Sequence, residues 1–193
     1  MASPKQLNGP LGPTYDATGQ NPIAGYRGSM VAGSGITSGA GTLYRSVVTQ
    51  EGGVIHTTIF VDLTGLKSGA SAGDIIGKAS AANCHLGQIT TAVNGVLYRG
   101  QMACIEVPAT GEPDIDLASG TVATGTQDAA ASGLSGYVLN YDHAADYTAV
   151  GQSAVFTSVP VPNSYIYLVT SGGADTAVYT AGQVVIEFWG YDV

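Results

Sequence analysis

Charge is scarce in this chain: only 10% of its 193 residues are Asp, Glu, Lys or Arg, and the basic ones number six. With fourteen acids against them the formal charge is -8, which disfavours an electrostatic grip on nucleic acid or on an anionic membrane. Neither partner is expected. Cysteine is limited to Cys84 and Cys104, too few for the disulfide framework of a small secreted domain. No apolar run reaches the roughly eighteen residues of a membrane-spanning helix. The N-terminus, MASPKQLNGPLGP, lacks the charged and apolar regions of a secretory leader, so the chain is expected in the cytoplasm where it is made. Phe numbers three and Trp one against eleven Tyr. A surface poor in charge and rich in Tyr suits protein contacts, although tyrosines also border ordinary strands.

What is abundant is small: 28 Gly, 8 Pro and many Ala, Ser and Thr, a composition of strands and turns. The length suits one domain plus an appendage. From Met1 to Gly41 no period of either kind is sustained, and Pro4, Pro10, Pro13 and Pro22 punctuate the segment. Residues 1–41 are therefore expected to form an extended N-terminal arm that orders against a neighbouring subunit through Leu7, Leu11, Tyr15, Ile23, Tyr26 and Met30.

Residues 42–193 read as the body. In Val54–Leu63 one parity carries Ile55, Thr57, Ile59, Val61 and Leu63, the alternation of a half-buried strand. Further strands are expected at 43–49, 74–78, 85–93, 96–106, 114–118, 154–159, 165–170 and 184–191. Short strands at this spacing make a single all-β sandwich, jelly-roll-like, without a helical layer. Between Thr121 and Thr148 the pattern dissolves into a long loop with a helical turn near 128–134. Asn94-Gly95 is the pair favoured in type I′ hairpins. That hairpin would put Ile89, Val93, Val96, Tyr98, Met102 and Cys104 on a buried face, with Gln88, Arg99 and Gln101 pointing away. Its register sets Cys104 beside His85 and Cys84 beside Ile105, on opposite faces, so both thiols are expected to stay free.

Candidate chemistry is sparse. His56, His85 and His143 are the only imidazoles, and none sits in HExxH, near CxxC, or with a GxSxG elbow. His56 and His85 fall in expected strands as structural residues. His143, between Asp142 and Asp146, suits a solvated loop or a weak metal site. Acids recur at Glu106, Glu112, Asp114 and Asp116. Asp114 and Asp116 would share one strand face and could take Ca²⁺ with loop carbonyls, though edge protection explains them as well. Catalytic, cofactor-binding and metal-binding residues are expected to be none.

The wording IFVDLTGLKS and GDIIG within Gly53–Ala79, then LGQITTAVNG from Leu86, EPDIDL from Glu112, YIYLVTSG from Tyr165 and YTAGQVVIEFWGYD from Tyr179, resembles a family of tailed-phage virion structural proteins common among marine phages. The likeness covers roughly residues 42–193 and is one of scaffold, with no catalytic signature. It implies a head decoration or cement protein: a homotrimer on the outer capsid surface that binds the major capsid protein, stabilises the assembled lattice and catalyses nothing. Two alternatives stay open. One is a tail or fibre protein; the other is a carbohydrate-binding sandwich with Trp189 and surface tyrosines as stacking platforms.

Overall fold

The computed structural model of the chain describes residues 24–172 and 176–192. In chain order it has β1 (Ala24–Gly28), α1 (Ser34–Thr37), β2 (Tyr44–Glu51), β3 (Val54–Asp62), β4 (Gly87–Gln88), α2 (Thr91–Asn94) and β5 (Val96–Ala109). There follow β6 (Ile115–Gly120), a 3₁₀ turn at Ala131–Gly133, β7 (Val138–Tyr141), β8 (Ser153–Val155), β9 (Tyr165–Thr170) and β10 (Ala181–Tyr191). Two antiparallel sheets form the expected all-β sandwich: six strands in the order β1-β2-β3-β10-β5-β8, and four in the order β4-β9-β6-β7. No helix among the described residues is long and apolar enough to cross a membrane.

The alternation in β3 does what a period of two requires. Ile55, Thr57, Ile59 and Val61 are fully buried, and in β10 Val184, Ile186 and Phe188 repeat the pattern. Ile59, Val61, Val184, Ile186 and Phe188 share one core with Leu117, Tyr141, Ile166 and Leu168 of the four-stranded sheet. An aromatic series crosses the sandwich from β10 to β7: Phe188 meets Phe156 at 5.3 Å between ring centroids, and Phe156 meets Tyr141 at 5.2 Å. Aromatic rings at such separations add packing energy beyond the area they bury.

Several expectations are corrected by this packing. Residues 24–41, expected in the arm, are built into the body. β1 is laddered to β2, Met30 is 6% exposed and Ile36 fully buried, and the Met30 amide donates to Ser46 Oγ at 2.8 Å. No apolar period is needed here, because an existing sheet edge supplies the partners for β1. The boundary at 41 thus falls inside a packed unit. Tyr26 is exposed on β1, while Leu7, Leu11, Tyr15 and Ile23 lie outside the described residues.

The Asn94-Gly95 hairpin does not form. Residues 90–95 make a helical turn that carries the chain from β4 in one sheet to β5 in the other. The Thr90 side chain accepts from the Val93 amide, the Asn94 carboxamide accepts from the Thr90 amide, and its NH₂ donates to Thr57 Oγ1 at 3.0 Å. Gly95 has φ +70°, and a Cβ there would lie 2.5 Å from the Tyr191 carbonyl oxygen; only glycine passes. The expected register goes with the hairpin. Ile89, Met102 and Cys104 are buried, but Val93 and Val96 are half-buried and Tyr98 is exposed. Cys84 and Cys104 are free, as expected, and both are buried; the reason differs, since Cys104 lies on β5 and Cys84 in the segment before β4.

Three expected strands shrink, among them 154–159, of which β8 keeps only Ser153–Val155. The 74–78 segment touches β9 through a single bridge, Ile75 to Val169, and 85–93 keeps only Gly87–Gln88. β7, with the sequence VLNY, was hidden in the expected long loop. The helical turn near 128–134 appears as the 3₁₀ turn.

Candidate functional site

Two separate acidic stretches of the sequence converge. Asp114 leads into β6, Asp116 lies within it, and the loop after β7 brings Asp142, His143 and Asp146 against them. The His143 amide donates to Asp116 Oδ1 at 2.8 Å, and the Tyr147 amide donates to the Pro113 carbonyl at 3.1 Å. The His143 ring stacks on Tyr147 with centroids 4.1 Å apart. Tyr147 in turn shares a buried 2.8 Å hydrogen bond with the Tyr141 hydroxyl. Asp142 caps its own turn by accepting from the Ala144 amide.

Like charges crowded in a partly desolvated place favour their protonated forms. Burial, then the neighbouring Asp116 and Asp146, pushes the Asp114 carboxyl up to about 6. Asp116, 3% exposed, is raised chiefly by burial, against the lowering effect of the His143 amide. The Tyr147 hydroxyl is driven far up by burial and by its bond to Tyr141. Glu112 stands slightly apart: its carboxylate accepts from the Asp114 amide, and its carbonyl accepts from the buried Tyr179 hydroxyl. Among the described residues no group of three or more His, Cys, Asp or Glu is arranged to hold a metal ion.

The other candidates are dispersed. Glu106 pairs with Gln183 across the β5/β10 ladder, away from the acidic cluster. His85 lines a groove of about 530 Å³ together with Met30, Val31, Gln88, Val93 and Tyr165. Burial lowers its pKa, and its Nδ1 has no hydrogen-bond partner among the described residues.

His56 sits on the solvent side of the six-stranded sheet, in a row across three neighbouring strands. Trp189 on β10 is the cross-strand partner of both His56 on β3 and Arg99 on β5. The His56 ring stacks on Trp189 at 4.9 Å and the Arg99 guanidinium lies over the same indole at 4.9 Å. Because β3 and β5 flank β10 on opposite sides, both faces of the indole are covered. Glu187 completes the group, 3.1 Å from His56 Nε2 and accepting from Gln101 Nε2 at 2.6 Å. This network was legible only as isolated letters, since its members lie on three strands far apart in the chain. The Tyr141–Tyr147 pair left no sequence signal either.

No protein-family model, curated protein or solved structure matches the chain.

Proposed function

We propose that this protein is a phage head decoration protein, which binds the outer capsid surface and stabilises the assembled lattice without catalysis. The observation that carries the reading is the surface. Large apolar side chains stand out on strands and loops alike, among them Tyr26 at 56%, Tyr98 at 54%, Val150 at 66% and Val161 at 55% exposure, on a chain only 10% charged. Such a surface suits protein contacts. The likeness of wording over residues 42–193 supplies the virion class and, with it, the major capsid protein as partner and a three-fold grouping of copies. The N-terminal segment, with Leu7, Leu11, Tyr15 and Ile23, and the loop around His143 are the proposed capsid contacts. The mechanism is linkage: a ligand that binds only the intact shell stabilises it by mass action.

Covered on both faces, Trp189 gives no support to the sugar-stacking alternative. Purified heads and tails, analysed separately by mass spectrometry, test the assignment. Recovery in heads, with decorated heads breaking at a higher temperature than bare ones, is the expected result; recovery only in tail fractions makes it a tail protein. Deleting residues 1–23 should leave the β circular dichroism unchanged and weaken head attachment. Equal attachment would remove that segment from the contact.

A further inference from the structure

We propose that the outer face of the six-stranded sheet is a two-fold interface with a second copy of this chain. The inference rests on reading this surface as protein-contacting and is independent of the virion assignment. One core-facing parity of each strand leaves the other on the outside: Val47 on β2, Phe60 on β3, Val185 on β10, Ala103 and Ile105 on β5, and Val155 on the edge strand β8, aligned by the ladders. Val47, Ile105 and Val155 are exposed at 39%, 39% and 54%. Among the polar groups on this face, Gln101 Nε2 donates to Glu187 Oε2 at 2.6 Å, while His56 Nε2, 3.1 Å from Glu187 Oε1, makes no hydrogen bond among the described residues. The described lysines, Lys67 and Lys78, lie off the sheet, and interface cores are depleted of lysine.

Charge placement selects the partner. Glu51 and Arg99 mark one end of the face, on β2 and β5. Arg45 and Glu106 mark the other end, again on β2 and β5. Around the four corners the signs alternate, so a two-fold axis lying along the strands or across them sets each arginine against an acid of the second copy. The axis along the strands, between β3 and β10, also sets Phe60 over Val185 of the second copy. Strands of 3 to 14 residues, at about 3.3 Å per residue and about 4.8 Å between strands, give a face on the order of 800 Å², near the ~800 Å² per partner of a stable interface. A face shared in this isologous way closes on itself, so it is separate from any three-fold grouping.

Sedimentation equilibrium of the full chain tests this. A monomer–dimer equilibrium is expected. Glu51→Arg should weaken dimerisation about tenfold or more by opposing Arg99 of the second copy, and adding Arg99→Glu should restore it, with circular dichroism and unfolding temperature confirming that both variants fold. The inference is overturned by a mass that stays monomeric or goes only to trimer, by a Glu51→Arg dimer as tight as the parent, or by failure of the double variant to recover. If the protein decorates heads yet stays monomeric in solution, this interface is wrong and the decoration reading stands. A dimer that never reaches heads gives the reverse.

Discussion

The two sheets solve burial differently. In β3 and β10 every second residue is buried and the others are half-buried or exposed, so one face meets the core and the other meets solvent. β6 is buried at all six positions and β9 at five of six, so the two central strands of the four-stranded sheet are covered on both sides. Its far side is closed by irregular chain: a Cβ on Gly125 would strike the Tyr167 ring at 2.5 Å, and one on Gly120 would meet Leu134 at 2.9 Å. Tyr167 bonds that covering segment, donating to the Val122 carbonyl and accepting from the Gly125 amide. Loops can therefore serve as a third layer, whereas the outward positions of β3 and β10 in the six-stranded sheet stay half-buried or exposed.

The largest test of that difference is a pair of truncations. Tyr167→Ala, on the loop-covered side, should cost about 3–5 kcal/mol, while Val185→Ala on the open face should cost within about 1 kcal/mol for the isolated chain. Equal losses in urea unfolding would mean that the loops are not a true layer.

Next in size is Tyr141→Phe. It removes one hydroxyl of the buried Tyr141–Tyr147 pair and leaves the other without its partner, at roughly 1–3 kcal/mol. His56→Ala, on the open face, should stay within about 0.5 kcal/mol. A reversal of that ranking in thermal unfolding would put the stabilising polar contacts on the wrong sheet.

A pH series sharpens the contrast further. With its carboxyl pushed up to about 6, Asp114 binds its proton more tightly in the folded chain than in the unfolded one. Its contribution to stability is full below the ordinary aspartate range, near 4, and is lost as pH rises through about 6. Asp114→Asn should flatten the stability profile across that window and leave the six-stranded sheet's unfolding otherwise unchanged. A slope that survives the substitution would assign it to Asp116 or another group.

The smallest expected effect is on thiol reactivity. Cys84 is buried, and burial pushes its thiol up to about 11; Cys104 is shifted upward for the same reason. Neither should be alkylated at neutral pH in the native protein, and both should be after denaturation without reductant. A Cys84–Cys104 bridge in a peptide map would contradict the fold.

Local chemistry and period were enough for the all-β class and for β2, β3, β5, β6, β9 and β10 within a few residues. Those features depend on neighbours two residues apart or on composition, so a linear reading reaches them. Tertiary structure alone decided the rest. Asn94-Gly95 carries a strong hairpin signal, but hydrogen bonds from Asn94 to Thr57 and Thr90 make it a crossover between sheets. β1 and VLNY at β7 have little intrinsic strand pattern and exist because an edge was there to pair with. Asp114 and Asp116 became neighbours of His143, and His56 of Trp189 and Arg99, through ladders and loops that join distant residues. Period reports which face of a strand is apolar; which strands lie side by side, and so which side chains meet, is set by packing of the whole chain.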